Sequence, residues 1–367
     1  MHTTAELPDT PFALVDLDRV DRNAARLRDR LDGLGVPLRL HVKTVKSAEL
    51  VRRVHGCAPI TVSTLAEAEY FADAGYEDIV YAVGIDPHKL ARVAALRARG
   101  VALTVLLDSR AQAEAVAAAD IPALIEIDAD GSRAGLRPDD PLLPEVGAVL
   151  GDRLAGVLTH AGGSYHAFTP EAQAAAARGE RDAVVGAAAV LRAAGLPCLV
   201  VSLGSTPTAH TVRDLTGVTE VRAGVYLFFD LVMAGLGICT LDDLALSVVV
   251  TVIGHRPDRG WILTDGGWMA LSRDRGTAEQ PVDQGYGLVT DLAGAPIPDL
   301  LVTGASQEHG VLTLRPGSGR PLPELPVGTR LRVLPNHACA TAAQYARYHV
   351  TGAGTEGLAV CERLGGW

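Results

Sequence analysis

Short β-branched runs alternate along this chain with Ala-rich segments whose apolar residues recur at helical spacing, and eight such runs fall between residues 36 and 227. They cover 38–43, 60–64, 79–83, 103–108, 123–128, 154–160, 199–203 and 220–225. Strands that alternate with helices predict a parallel sheet, and eight is the count that closes a (β/α)8, TIM-type barrel. The punctuation agrees with the periodicity. Ser47 opens one predicted helix, Pro87 opens another, and Gly56, Gly75, Gly100 and Gly195 each stand where a helix should stop.

After about residue 237 the helical texture gives way to alternating runs such as 246–253 and 330–334 between Gly, Pro and Asp turns, which predicts an antiparallel β domain. The expected division is a barrel over 18–237 and a β domain over 238–367 that takes in an N-terminal strand segment, 1–17. No repeat of fixed period, low-complexity tract or long linker interrupts the pattern.

Charge narrows the partners. With 33 basic and 43 acidic residues the net charge is −10, so the sequence shows no electrostatic footprint for nucleic acid or an anionic membrane, and a small molecule is the expected partner. The segment Met1–Pro11 lacks a basic then apolar leader, and no later stretch reaches the roughly twenty apolar residues of a membrane span; the expected location is cytoplasmic. Five unpatterned cysteines do not form a disulfide framework.

Barrel chemistry gathers at the C-terminal ends of the strands. Lys43 ends the first, Asp128 the fifth and His160 the sixth; Ser202–Thr206 follows the seventh and Arg222–Tyr226 closes the eighth. A buried lysine has a lowered pKa, which frees a neutral amine for imine formation with an aldehyde cofactor. Lys46 competes for that role but lies nearer the first helix. The turn Gly204-Ser205-Thr206-Pro207-Thr208 suits a phosphate, with Gly224 offering a second approachable backbone, and reads equally as a helix-capping turn. His337 and Cys339, spaced i, i+2, project to one face if their segment is a strand, and both then reach one ion.

These residues bring a resemblance with them. Thr10-Pro11-Phe12, His41-Val42-Lys43-Thr44, Ser63–Ala68, Gly204–Thr208, Glu220–Tyr226, Gln307–Gly310 and Pro335–Cys339 together resemble the fold-type-III pyridoxal-phosphate enzymes, within them the D-serine dehydratase and D-threonine aldolase group, over almost the full length. The resemblance implies an alanine-racemase-like barrel and pyridoxal phosphate bound to Lys43. It places Tyr165, Gly204, Ser205, Thr206, Gly224 and Val225 around the cofactor and Arg133 near its phenolic oxygen. His337 and Cys339 become metal ligands, for zinc or else manganese, and the expected assembly is a homodimer.

The implied activity is a lyase on a D-β-hydroxy-α-amino acid: dehydration to a 2-keto acid and ammonia, with Lys43 taking the α-proton. Retro-aldol cleavage to glycine and an aldehyde is the alternative, with His160, His166 and His309 as candidate bases, and racemisation is a second. The His-x-Cys form of the metal pair leans toward dehydration. Two positions depart from the family pattern: Val45 stands where the family usually has His, and Gln307 where Glu is common.

Overall fold

The computed structural model describes residues 7–352, 354–355 and 357–367, so positions 1–6 of the expected N-terminal segment lie outside the described residues. Contacts divide the chain into two compact units: Ala24–Tyr226 with Gly366–Trp367, and Met1–Asn23 with Leu227–Gly365. Strand β1 (Phe12–Asp16) belongs to the second of these.

The Ala24–Tyr226 unit is a closed barrel of eight strands in sequence order, all parallel: β2 (Leu38–His41), β3 (Ile60–Val62), β4 (Asp78–Gly84), β5 (Ala102–Leu107), β6 (Ala123–Ile127), β7 (Leu154–Thr159), β8 (Val200–Leu203) and β9 (Glu220–Ala223). Its helices start where short polar side chains satisfy the first free N–H groups. Thr64 Oγ1 accepts from Glu67 N at 3.0 Å ahead of Leu65–Asp73, and Thr169 and Ser109 cap Pro170–Ala193 and Arg110–Ala118 in the same way. Ser47 stands at the N-cap of Ala48–His55 without such a bond. Gly56, Gly75, Gly100 and Gly195 all have positive φ past the helix ends, the conformation that favours glycine.

Polar side chains of β2, β8 and β9 form a bonded, buried group that reaches out to exposed Asp78 on β4. Arg39 Nε donates to Glu220 Oε2 and Arg39 Nη1 to Asp78 Oδ1, each at 2.7 Å; Ser202 Oγ donates to Glu220 Oε1 at 2.7 Å and Arg222 Nε to Ser202 Oγ at 2.8 Å. Buried charges survive only when paired and hydrogen-bonded in this way.

The other unit is one nine-stranded sheet in the order β11-β14-β13-β12-β15-β10-β1-β16-β17, built from β1 and β10 (Leu246–Arg256), β11 (Trp261–Thr264), β12 (Leu288–Thr290), β13 (Pro296–Ala305), β14 (Gly310–Leu314), β15 (Arg330–Leu334), β16 (Arg347–Thr351) and β17 (Ala359–Glu362). The long β10 also pairs with β11, and Val248, Val250, Val252, Ile262, Val302 and Leu312 fill a shared core. The sheet departs from the expected antiparallel pattern at one place: β1 lies between β10, antiparallel, and β16, parallel. No helix among the described residues is long and apolar enough to cross a membrane.

Candidate active site

At the C-terminal end of the barrel the lysine comes first. β2 stops at His41, so Lys43 is not the last residue of the strand but sits in the turn 42–45 beyond it. Thr44 and Val45 are buried in this turn while Lys43 and Lys46 are half-buried. The two lysines are not equivalent. Lys46 Nζ is 3.0 Å from Glu67 Oε1, a carboxylate without solvent exposure that also accepts from Ser63 N at 2.8 Å and Ser63 Oγ at 2.7 Å. Lys43 makes no ion pair among the described residues, so its amine is the one available for chemistry.

Two histidines face that amine. His160, directly after β7, bonds through Nδ1 to the Gly204 carbonyl at 2.9 Å; Nδ1 therefore donates and Nε2 is the open position of the neutral ring. Burial, with the charges of Lys43, Arg133 and Arg222, holds its pKa down to about 3. His41 is pushed well below the ordinary histidine range by burial and the same cations. Arg222, 3 % exposed on β9, donates to Ser202 Oγ and the Thr159 carbonyl, and burial lowers even its pKa to about 10. Arg133 is exposed in the loop after β6, and its charge reaches His41, His160 and Glu126. The barrel end is thus strongly cationic with neutral imidazoles.

Loops from neighbouring strands tie this end together. Asp130 Oδ2 accepts from Gly163 N at 2.7 Å, linking the Arg133 loop to the 3-10 turn Gly162–His166 that carries half-buried Tyr165. Ser164 Oγ in that turn is 2.9 Å from Ser205 Oγ. Ser205 forms a capping box with Thr208 at the start of Thr206–Thr211, so the capping reading of this turn is correct, and the Ser205 hydroxyl is already engaged. Thr206 Oγ1 is buried with no hydrogen-bond partner.

The two glycines of these loops, Gly204 and Gly224, sit against neighbouring strand ends. A Cβ on Gly204 would lie 2.1 Å from the Arg222 carbonyl oxygen, and one on Gly224 would lie 2.5 Å from the His41 carbonyl oxygen. Both are glycine because a neighbouring strand end passes too close for any side chain. Buried Val225 follows directly.

This arrangement fits pyridoxal phosphate. The orphaned, buried Thr206 hydroxyl suits a phosphate, the cations Arg133 and Arg222 suit an anionic cofactor, and Lys43 supplies the unpaired amine.

The second site lies in the β unit. His337 and Cys339 are not on a strand: β15 ends at Leu334, Pro335-Asn336 turns the chain, His337 takes the extended N-cap position, and Cys339 is in the short helix Ala338–Ala342. Proline cannot continue the ladder, which is why the strand stops there. The side chains still meet. Burial works against a charged His337, yet Cys339, hydrogen-bonded to it, and the Asp274 carboxylate push its pKa up to about 11.

Asp274 was not legible in the sequence as part of this site. Its Oδ2 is 2.7 Å from His337 Nδ1, and its Oδ1 accepts from Gly276 N at 2.8 Å. Buried Asn336 fixes the same loop, accepting from Thr277 Oγ1 and donating to the Gly285 carbonyl, both at 2.6 Å. Asp230, 1 % exposed, holds the helix from the other side, its Oδ2 accepting from Ala338 N at 2.9 Å. His337 thus has Nδ1 committed to a carboxylate and its side chain hydrogen-bonded to the Cys339 thiol, an imidazole–thiol pair that fits a borderline-soft divalent ion. No cluster of three or more His, Cys, Asp or Glu placed to hold a metal occurs among the described residues. Of the other candidates, His309 is exposed in the β13–β14 turn and His166 is exposed beside Tyr165.

Comparison with known proteins matches the alanine racemase N-terminal domain family over residues 15–232 and the serine dehydratase domain family over residues 245–351. The chain is 53 % identical to D-threo-3-hydroxyaspartate dehydratase of Delftia sp. (strain HT23), covering 100 % of both. It is 28 % identical to D-serine dehydratase of Dictyostelium discoideum, covering 93 % of each, and 28 % identical to D-threonine aldolase of Arthrobacter sp., covering 91 % of this chain and 86 % of that one. The solved structure of the Delftia enzyme matches with a TM-score of 0.94 at 53 % identity, covering 98 % of both chains. Two variants of a D-threo-3-hydroxyaspartate dehydratase match as well: one with a histidine changed to alanine, and one in the metal-free form with a cysteine two positions further along changed to alanine.

Proposed function

Because the chain belongs to the fold-type-III pyridoxal-phosphate family of D-serine dehydratases and D-threonine aldolases, whose members are lyases, we propose that it dehydrates D-β-hydroxy-α-amino acids, D-threo-3-hydroxyaspartate foremost. The products are a 2-keto acid and ammonia. The observation that carries this reading is the placement of His337 beside Cys339 with Nδ1 bonded to Asp274. Spacing adds support, since the histidine changed in one solved D-threo-3-hydroxyaspartate dehydratase variant and the cysteine changed in another, metal-free one stand two positions apart, the interval between His337 and Cys339. Zinc suits the imidazole and thiolate better than manganese or magnesium, which prefer oxygen donors.

In this reading Lys43, Tyr165, Gly204, Ser205, Thr206, Gly224 and Val225 hold the cofactor. Arg133 and Arg222 add positive charge around it, and His337 and Cys339 hold the ion. Bound there, pyridoxal phosphate supplies an electron sink for a carbanion at Cα, and the ion a Lewis acid for the departing β-hydroxyl. Lys43 Nζ takes the α-proton, and no ion pair among the described residues ties that amine elsewhere. His160 is kept neutral, and its Nδ1 proton is committed to the Gly204 carbonyl, so its ring is oriented with Nε2 as an acceptor. The cations offer a counter-charge to substrate carboxylates. Five free cysteines fit a reducing cytoplasm, and the family's habit of building sites between two subunits makes a homodimer the expected assembly.

Proton NMR of the products tests the reading. Protein loaded with pyridoxal phosphate and zinc is given D-serine, D-threonine and D-threo-3-hydroxyaspartate separately. Keto acid without glycine, fastest from the hydroxyaspartate and lost on chelation, is the expected result. Glycine plus an aldehyde assigns the aldolase instead, and chelator-insensitive loss of configuration at Cα assigns a racemase.

A further inference from the structure

We propose that the barrel unit carries a second small-molecule site, for an organic anion, in the cleft between the helices Leu17–Gly33 and Ala48–His55. The cleft is a cavity of about 520 Å³, within the range of small-molecule sites. It opens beside Pro37 and Leu38 at the start of β2, whereas Lys43 follows that strand's end, and it contains none of the residues assigned to the cofactor.

Charge identifies the head group. Arg28, Arg52 and Arg53 line the cavity against one carboxylate, Asp32, in a protein whose net charge is −10. Arg52 and Arg53 belong to the last turn of their helix, where basic residues favour the free carbonyls, and Arg52 donates to the Ala74 carbonyl. That explanation does not reach Arg28. It projects from the other helix, is exposed, and makes no hydrogen bond or ion pair among the described residues, not even with Asp32 one turn along. His55 bonds through Nε2 to the Pro59 carbonyl at 2.9 Å and, with burial lowering its pKa, adds no cation near neutral pH.

Tyr226 is the second, independent observation. It is 1 % exposed, lines this cavity within reach of the Arg28 charge, and its hydroxyl makes no hydrogen bond among the described residues. Buried hydroxyls are almost always paired, and one that faces a cavity beside unpaired arginine is a donor awaiting an acceptor. Ala24, Pro37, Leu38 and Val54 supply apolar wall for an organic body. The ligand class that follows is a small molecule with an apolar part and a phosphoryl or carboxylate head.

Isothermal titration of the cofactor- and metal-loaded protein tests this with phenyl phosphate and benzoate as the two head groups and phenol as the neutral control. Expected is one-to-one binding of at least one anion, weakened about tenfold in Arg28→Gln and about fivefold in Tyr226→Phe, with phenol not binding. The stronger of the two anions names the head group. Neither substitution removes a bond within the protein, so an unchanged visible spectrum of the bound cofactor certifies both variants. Absence of heat with both anions, equal heats in both variants, or phenol binding as tightly as the anions overturns the proposal.

Discussion

Burial and the charges of Lys43, Arg133 and Arg222 hold His160 down to about 3, whereas Cys339 and Asp274 carry His337 up to about 11 although burial opposes it. One side chain, half-buried in both places, thus sits in opposite electrostatic surroundings in the two units. The barrel end is a basin of positive charge in which imidazole is neutral and the Lys43 amine has no carboxylate partner among the described residues. The β unit's site is negative and favours positive charge at the imidazole, which a divalent ion supplies when it displaces the proton. Each polarity matches its proposed guest, a phosphate and carboxylates in one and a divalent ion in the other.

The largest expected effect comes from removing the unpaired cation. Lys43→Ala should lower kcat by roughly three orders of magnitude or more and abolish the visible band of the lysine-bound cofactor. Lys46→Ala, which releases only the Glu67 pair, should keep that band. If the two variants behave alike in the spectrum, the distinction drawn between the lysines is wrong. Removing Lys43 should also raise the His160 pKa, visible by NMR of the imidazole.

Asp274→Asn comes next, keeping shape while removing charge. Outer-shell partners of this kind are worth about 10- to 100-fold in metal affinity, and zinc binding measured by competition with a chromophoric chelator should weaken by that factor. His337→Ala should lose the ion altogether. Retained binding in His337→Ala would sink the metal site itself, and unchanged affinity in Asp274→Asn alone would sink the role of the carboxylate.

The smallest effect is in pH. A histidine whose folded pKa is depressed takes up its proton more readily when unfolded, so its neutral form stabilises the fold at pH above 6.5 and that contribution drains away as pH falls from 6.5 toward about 3. Thermal melts of the cofactor-free protein should therefore decline less steeply over that window in His160→Gln than in the parent. A parallel decline would mean that the ring is more solvated than its surroundings indicate.

Much of this was legible in the sequence. All eight barrel strands lie within one or two residues of the runs read from the sequence, because a closed parallel barrel makes its strands short, mostly apolar runs set off by turn residues and helices. Ends were less legible: the apolar run through Val42 continues past β2, since a buried turn residue looks the same as a strand residue. His337 and Cys339 were found, but on the wrong element, because a five-residue helix leaves no periodicity to read. Asp274 and the parallel pairing of β1 with β16 depend on contacts between distant parts of the chain, for which local pattern carries no signal. Val45, the departure from the family pattern, is 1 % exposed, so the position is part of the packed core beside the lysine.

The seat of β1 in the middle of the nine-stranded sheet has a consequence for biosynthesis. It leaves the ribosome ahead of every other strand in the fold, yet its partners β10 and β16 emerge only after the last barrel strand. For most of translation this apolar segment, Phe-Ala-Leu-Val, has both edges open while the barrel can already close behind it. A nascent chain stalled before β16 would therefore present a ready edge to other chains, making chaperone engagement at the N-terminus, rather than barrel formation, the step on which yield of intact protein turns.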